Sequence, residues 1–230
     1  MTSRILKVTA LVIMALFTFV QKGMSQPDEK LTLWYTFPAD RQQWDEYSLP
    51  IGNGELGASI FGGIDIDEII FNEKTLWSGT STDNKGYDDY GHYECFGSVQ
   101  IENLNPITDW SRTTDYRREL DLSCAVARAS YTAADGTEYR REYITSYPDK
   151  VIAVKYSADR PGAISVRVMM ETRVAGDTGR TVYEGATATF SGKLQTVSYD
   201  ACVKVIPVGG KMNRNNDSIV VEDADECLFI

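Results

Sequence analysis

Past Ser25, apolar and polar positions alternate with a period of two, and no window of a dozen residues carries a helical apolar stripe. Leu56, Ala58 and Ile60 alternate with Gly57, Ser59 and Phe61, and Leu120, Leu122, Cys124 and Val126 read as a second run. Ile152, Val154 and Tyr156 follow, then Ile164, Val166, Val168 and Met170, then Tyr199, Ala201, Val203 and Val205, with a short run at 219–221. Such a pattern predicts half-buried antiparallel strands, one face on a core and one in water. Turn signals fall between the runs: Asp135-Gly136, Asp159-Arg160-Pro161-Gly162 and Gly209-Gly210, the first and last read as hairpin turns. Residues 109–119 have room for a short helical turn at most, and 80–93 and 173–187 read as surface loops. The expected fold is all-β, a large antiparallel β-sandwich.

The first residues read as an address. Arg4 and Lys7 precede an apolar stretch over 8–20, and Gly23 and Ser25 provide small residues at −3 and −1. A secretory signal peptide over 1–25 is expected, with residues 26–230 forming the sandwich in a secreted or periplasmic setting. An uncleaved anchor is the alternative, although the stretch is short for a span of about 20 residues. At the other end Cys227-Leu228-Phe229-Ile230 is apolar and strand-like, which suggests the front part of something longer.

The chain has 33 acidic against 23 basic residues, a net charge of −10, and Arg4, Lys7 and Lys22 would leave with the signal peptide. That balance argues against nucleic acid or anionic membrane as partner, because phosphate binding rests on clustered Lys and Arg. Cys95, Cys124, Cys202 and Cys227 would permit disulfides in an oxidising compartment. Their wide spacing and apolar surroundings favour buried free thiols. With no CxxC and His92 as the single histidine, neither a metal site nor any cofactor is expected. His92 itself reads as a solvated residue.

One window joins glycines to polar and aromatic residues: Leu49-Pro-Ile-Gly-Asn-Gly-Glu-Leu-Gly-Ala-Ser-Ile-Phe-Gly-Gly63, then Phe71-Asn-Glu-Lys-Thr-Leu-Trp-Ser-Gly79. Amides and carboxylates suit sugar hydroxyls, and an indole suits the apolar face of a pyranose. Asn53, Asn72, Glu73 and Trp77 are therefore the candidate substrate-binding residues. Each also has a plainer reading: Asn53 as a left-handed turn residue, Asn72 as a partner for loop backbone, Glu73 as a surface acid and Trp77 as core filler. Trp34 and Tyr35 read as core or strand-edge aromatics, and Trp44 and Trp110 as stacking platforms or interface anchors. Asp65 and Asp67 read as solvated surface acids, and the pairs Arg117-Arg118 and Arg140-Arg141 as solvated strand and loop faces or partners for nearby acids. Glu55 lies on the glycine loop as a turn-associated acceptor. A glycosidase needs two facing carboxylates, and no acid here has a convincing partner, so no catalytic residue is assigned.

Leu33-Trp-Tyr, the glycine window and Asn72-Glu-Lys-Thr-Leu-Trp-Ser-Gly79 together resemble the start of glycoside hydrolase family 95, the α-L-fucosidases and their relatives. Tyr116-Arg-Arg-Glu-Leu-Asp-Leu122, Arg141-Glu-Tyr143, Ser146-Tyr-Pro-Asp-Lys-Val-Ile152 and Ala224-Asp-Glu226 continue the likeness in order. The resemblance implies a β-sandwich domain that precedes a catalytic α/α-barrel carrying the general acid and the water-positioning residues of an inverting hydrolysis. It implies a glycan substrate with terminal α-linked fucose, an intramolecular barrel as partner, and no catalysis by these residues alone. A stand-alone carbohydrate-binding or structural module is the alternative expectation.

Overall fold

The structure, a computed structural model, describes residues 31–79, 91–105, 110–177 and 179–230. The expected signal peptide and most of the 80–93 loop lie outside the described residues. Fourteen strands follow in chain order: β1 (Thr32–Tyr35), β2 (Leu49–Gly52), β3 (Leu56–Ile60), β4 (Ile66–Glu73), β5 (Gly97–Asn103), β6 (Thr114–Asp121) and β7 (Val126–Thr132). Then come β8 (Glu138–Ser146), β9 (Val151–Ala158), β10 (Ile164–Thr172), β11 (Val182–Glu184), β12 (Thr187–Lys193), β13 (Ser198–Arg214) and β14 (Ile219–Phe229). The helical elements among the described residues include single turns at Arg41–Gln43, Trp44–Tyr47 and Trp110–Arg112. The all-β antiparallel sandwich is what the alternation predicts.

All pairings are antiparallel, and they join into one curled sheet ordered β1-β6-β7-β8-β9-β14-β10-β5-β4-β3-β2, with β11, β12 and β13 branching from β14. The curl brings β2 back across β6, β7 and β8, and β3 across β8 and β9. The two inward faces share a core in which Leu49, Ile60, Ile101, Val168, Val205 and Ile219 are fully buried. Period-two reading holds well along β10, where Ile164, Val166, Val168 and Met170 are buried and Ser165, Arg167 and Met169 between them are not.

Three expectations change. Leu120 to Val126 is not one strand. Asp121 accepts hydrogen bonds from the Ser123 amide and hydroxyl, Ala125 takes φ 55°, and the chain reverses between β6 and β7 with Leu122 exposed. The side chain of Asp121 out-competes the apolar alternation because it closes the turn on itself.

Gly209-Gly210 is not a hairpin turn. β13 runs on to Arg214, the reversal sits at 215–218, and the two glycines (φ 71° and 65°) form a bulge opposite the register shift at Val208/Gly209. Finally, of the four thiols expected to be buried only Cys227 is; Cys95, Cys124 and Cys202 are exposed, and all four are free. Cys124 belongs to the β6–β7 turn and Cys202 to the outward face of β13, so strand-like surroundings did not imply the inward face.

Candidate functional site

The glycine window folds into two turns at opposite ends of the β3–β4 hairpin. At one end, the turn over 61–65 is held from inside the sandwich. Asp67, fully buried, accepts hydrogen bonds from the Gly62 amide (2.9 Å), the Tyr143 hydroxyl (2.5 Å) and the Tyr156 hydroxyl (2.7 Å). Arg141 lies 3.6 Å from Asp67 and donates to the carbonyls of Gly63 and Ile64. Tyr116 donates to the Gly62 carbonyl at 2.6 Å, and a Cβ at Gly62 would come within 2.8 Å of that hydroxyl. Arg118 donates to the carbonyls of Phe37 and Tyr47, and its guanidinium carbon lies over the Tyr35 ring, 4.2 Å from the centroid.

The expectation that Asp67 is solvated is therefore wrong, and so is the solvated-face reading of Arg118 and Arg141; Arg141 is instead the partner of a nearby acid, Asp67, while Arg118 is held by backbone carbonyls. The signal was present in the sequence: Arg118 has the parity of Tyr116 and Leu120, Arg141 that of Tyr139 and Tyr143, and Asp67 that of Ile69, all inward positions. Their neighbours Arg117 and Arg140 point outward, as expected. Burial pushes the Tyr143 and Tyr156 hydroxyls well above the usual tyrosine range, and the Asp67 carboxylate adds to it.

The other end of the hairpin carries the four candidate residues. Asn53 accepts from the Glu55 and Leu56 amides (2.9 and 2.8 Å) and donates to the Ser146 carbonyl at 2.8 Å. The left-handed position of that turn belongs to Gly54 (φ 88°), not to Asn53. Lys74 donates its amide to the Glu55 carbonyl, which brings the 53–56 turn beside the end of β4. Asn72 accepts from the Phe96 amide at 2.9 Å. Glu73 accepts from both the amide and the hydroxyl of Thr75. Each of these three side chains is engaged with its own surroundings through at least one polar atom.

Trp77 is different. Its indole N–H donates to the Lys74 carbonyl at 3.1 Å, while the side chain is half exposed and tilted against Tyr93 with centroids 5.7 Å apart. Trp77 and Tyr93 also form an isolated β-bridge. Beneath them, His92 joins Ser78 (Nδ1 to Oγ, 3.0 Å) and Glu94 (Nε2 to Oε1, 2.9 Å), and Glu94 is buried. His92 is thus hydrogen-bonded on both ring nitrogens, although its ring remains largely exposed. Burial, helped by Glu73, raises the Tyr93 hydroxyl.

The structure gathers all four candidate residues at one end of the sheet but leaves only Trp77, with Tyr93 beside it, offering an uncommitted face. Sequence reasoning missed Tyr93, for which the odd-even register with Trp77 gives no local cue across the intervening loop. The acids at this end are engaged: Glu55 with Lys74 (3.8 Å) and Lys150 (3.2 Å), Glu73 with Thr75 and Glu94 with His92. Among the described residues no group of three or more His, Cys, Asp or Glu is placed to hold a metal ion. Chemically, the arrangement is an aromatic rim with anchored polar neighbours.

Residues 33–92 and 88–230 match a family model described as glycosyl hydrolase family 65, N-terminal domain. The chain is 29% identical over 181 residues to alpha-L-fucosidase 2 of Arabidopsis thaliana, a match covering 66% of this chain and 21% of that protein. It is 26% identical over 160 residues to a protein of Aspergillus niger described as probable alpha-fucosidase A, covering 56% of this chain and 20% of that one. The chain thus spans about a fifth of the length of the curated relatives it matches.

Proposed function

Because the chain belongs to the family of glycosyl hydrolase family 65 N-terminal domains, we propose that it serves as the β-sandwich domain of a glycoside hydrolase of the family 95, α-L-fucosidase type. In this reading the enzyme is secreted or periplasmic and removes terminal α-linked fucose from glycans with inversion. The general acid and the activated water belong to an α/α-barrel outside residues 1–230. Two α-fucosidase names among the relatives support the substrate class, and the ordered motifs from Leu33 to Glu226 support family 95.

The observation that carries a role for this domain is the Trp77–Tyr93 pair. A half-exposed indole fixed through its N–H presents a flat apolar face, which matches the C–H face of a sugar ring. Asn53, Asn72 and Glu73 act by shaping the rim, since their polar atoms already bond to the turn backbone. The domain by itself lacks turnover.

The test uses purified chain with a 2′-fucosylated oligosaccharide, fucose, galactose and lactose. Weak saturable binding of fucosides is the expected result, read as quenched tryptophan emission in the unaltered chain and as NMR shift changes in the variants, lost in Trp77→Ala and kept in Trp77→Phe. Appreciable hydrolysis by the chain alone would contradict the assignment of catalysis to a separate barrel. The second reading, a stand-alone carbohydrate-binding module, rests on the same exposed aromatic pair. It requires tighter binding by the isolated chain, with a dissociation constant well under about 1 mM.

A further inference from the structure

Leu76 to Ser78 and His92 to Glu94 run side by side as a short antiparallel pair. The Glu94 amide donates to the Leu76 carbonyl (3.1 Å), the Ser78 amide donates to the His92 carbonyl (2.9 Å), and Trp77 bridges Tyr93. This pairing sets three side chains in one line of hydrogen bonds. Ser78 Oγ lies 3.0 Å from His92 Nδ1, and His92 Nε2 lies 2.9 Å from Glu94 Oε1. Glu94 is buried, and its other carboxylate oxygen accepts from the Ala175 amide at 3.4 Å, so the acid is fixed from both sides. Sugar binding at Trp77 uses none of the three.

The line has a chemical direction. A carboxylate only accepts hydrogen bonds, so Nε2 carries the hydrogen of the bond to Glu94. In the neutral ring Nδ1 then presents its lone pair to the Ser78 hydroxyl, which is how a base is placed to take a proton from a nucleophile. Serine–histidine–acid triads are recognised by these roles, and here the two ring nitrogens exchange places while the roles stay the same. Ser78 Oγ also accepts from the His92 amide at 3.1 Å and lies 3.2 Å from the His92 carbonyl oxygen, contacts that hold it in place. The serine is partly exposed and the imidazole largely so. Next in the chain, the Gly79 amide donates at 3.2 Å to Oε1 of Gln195, an exposed side chain that a developing anion can displace. The amide of the residue after a nucleophile is a recurrent oxyanion donor.

We propose that Ser78, His92 and Glu94 form an esterolytic site for short-chain carboxylic esters. Ser78 Oγ attacks the ester carbonyl carbon while its proton passes to His92 Nδ1, and the Gly79 amide receives the oxyanion. The bond from that carbon to the alcohol oxygen then breaks, the alcohol leaves with the proton from His92, and Ser78 holds the acyl group. Water repeats the sequence: its proton goes to Nδ1, its oxygen bonds the carbonyl carbon, and the carboxylic acid leaves as the proton returns to Oγ. Glu94 is a positioning residue that holds the Nε2–H tautomer. The alcohol part of the ester lies toward the Trp77–Tyr93 face, which favours an alcohol with an apolar surface. No glycosidic bond is cleaved, so this activity is separate from the fucoside hydrolysis for which the domain alone lacks turnover, and it stands whether or not Trp77 binds sugar.

The experiment treats the purified chain with an alkyl fluorophosphonate, which bonds to an activated serine with loss of fluoride, and separately with p-nitrophenyl acetate. Peptide mass spectrometry is expected to place the label on Ser78 and on no other serine. Ester hydrolysis should fall at least about tenfold in Ser78→Ala and in His92→Ala. Glu94→Gln should lower kcat by a similar factor with KM unchanged, and nitrogen NMR should show the ring hydrogen of His92 leaving Nε2, a readout that a merely structural role would not move. If the variants fail to fold, the position of the label on the unaltered chain decides. Three results would overturn the proposal: no label on Ser78, ester hydrolysis unchanged in Ser78→Ala (attack by surface nucleophiles), or labelling of Ser78 at an undiminished rate in His92→Ala (an accessible serine without a base).

Discussion

Asp67 and Arg141 meet 3.6 Å apart inside the sandwich, at 0% and 3% side-chain exposure, and between them hold the turn that follows β3. Each also satisfies neutral partners: Asp67 the Gly62 amide and two tyrosine hydroxyls, Arg141 the carbonyls of Gly63 and Ile64 and the Tyr131 hydroxyl at 3.3 Å. The Arg141 guanidinium also lies over the Tyr156 ring at 4.6 Å. Burying two charges is costly, and it is offset here because the hydrogen-bonding capacity around them is filled. The pair ties β4 to β8 and β9, strands that belong to opposite faces of the curl.

Removing both members of this pair should be less harmful than the sum of removing each alone. Asp67→Ala leaves a buried guanidinium and three donors without their acceptor, at a cost of about 3–5 kcal/mol. Arg141→Met should cost a similar amount. The double variant Asp67→Ala/Arg141→Met should cost less than the sum by at least about 1 kcal/mol, because neither charge is then stranded. Urea unfolding of the four proteins measures this, and strict additivity would refute the coupling.

The same network sets an alkaline limit. Tyr143 and Tyr156 are raised well above 10 by burial and by Asp67, and burial raises Tyr139 to about 12. Tyr199 is also raised to about 12, by burial and by its bond to Asp177. A tyrosine whose folded pKa lies above its unfolded value gives stability that is whole below the unfolded value. That stability is lost as pH rises toward the folded one. Stability should therefore hold to about pH 9.5 and then fall, at up to about 1.4 kcal/mol per pH unit for each such tyrosine. Tyr139 and Tyr199 exhaust their share near pH 12. Chemical denaturation between pH 8 and 11.5 checks it, with Tyr156→Phe expected to reduce the slope.

How much of this was legible follows from what period-two alternation encodes. It tells which residues share a face, so β10 and the first half of β13 were readable, and the sandwich with them. Faces alone do not say which polar residue goes inward, and at Arg118, Arg141 and Asp67 charge and parity point opposite ways. Parity wins there because tyrosine hydroxyls and turn carbonyls, distant in sequence, supply the missing partners. Trp77 is legible as an aromatic at a strand end, whereas its bridge with Tyr93, a residue distant in sequence, is marked by no local pattern. The strand reading also broke at Asp121, where one side chain reverses the chain.

Asn53 closes its turn with three hydrogen bonds, two to amides within the turn and one across to Ser146. Asn53→Ala should cost about 2 kcal/mol, given roughly 0.5–1.5 kcal/mol for each bond. In a domain of this size that corresponds to a lower melting temperature by about 4–8 °C. Asn53→Asp keeps the acceptor for Glu55 and Leu56 but loses the donor to Ser146, so about half the loss is expected. A thermal melt in which aspartate is as damaging as alanine would show that the bond to Ser146, and not the turn, carries the effect.

Gly210 sits in the β13 bulge at φ 65°, and a Cβ there would fall 2.3 Å from the Glu222 carbonyl oxygen and 2.6 Å from the Ala224 amide nitrogen. Backbone on the facing strand cannot withdraw as a flexible side chain can, because Ala224 and Glu222 are in register with Gly209 and Lys211. Gly210→Ala therefore combines left-handed strain with a close contact, and a loss of about 2–3 kcal/mol is expected. Gly185 is the control: it has φ 57° and no atom within 4 Å of an added Cβ, so Gly185→Ala should cost only the strain, about 1 kcal/mol. Equal losses for the two alanines would mean that the contact with β14 is relieved without cost. The bulge would then not be what holds the long β13–β14 hairpin in its register.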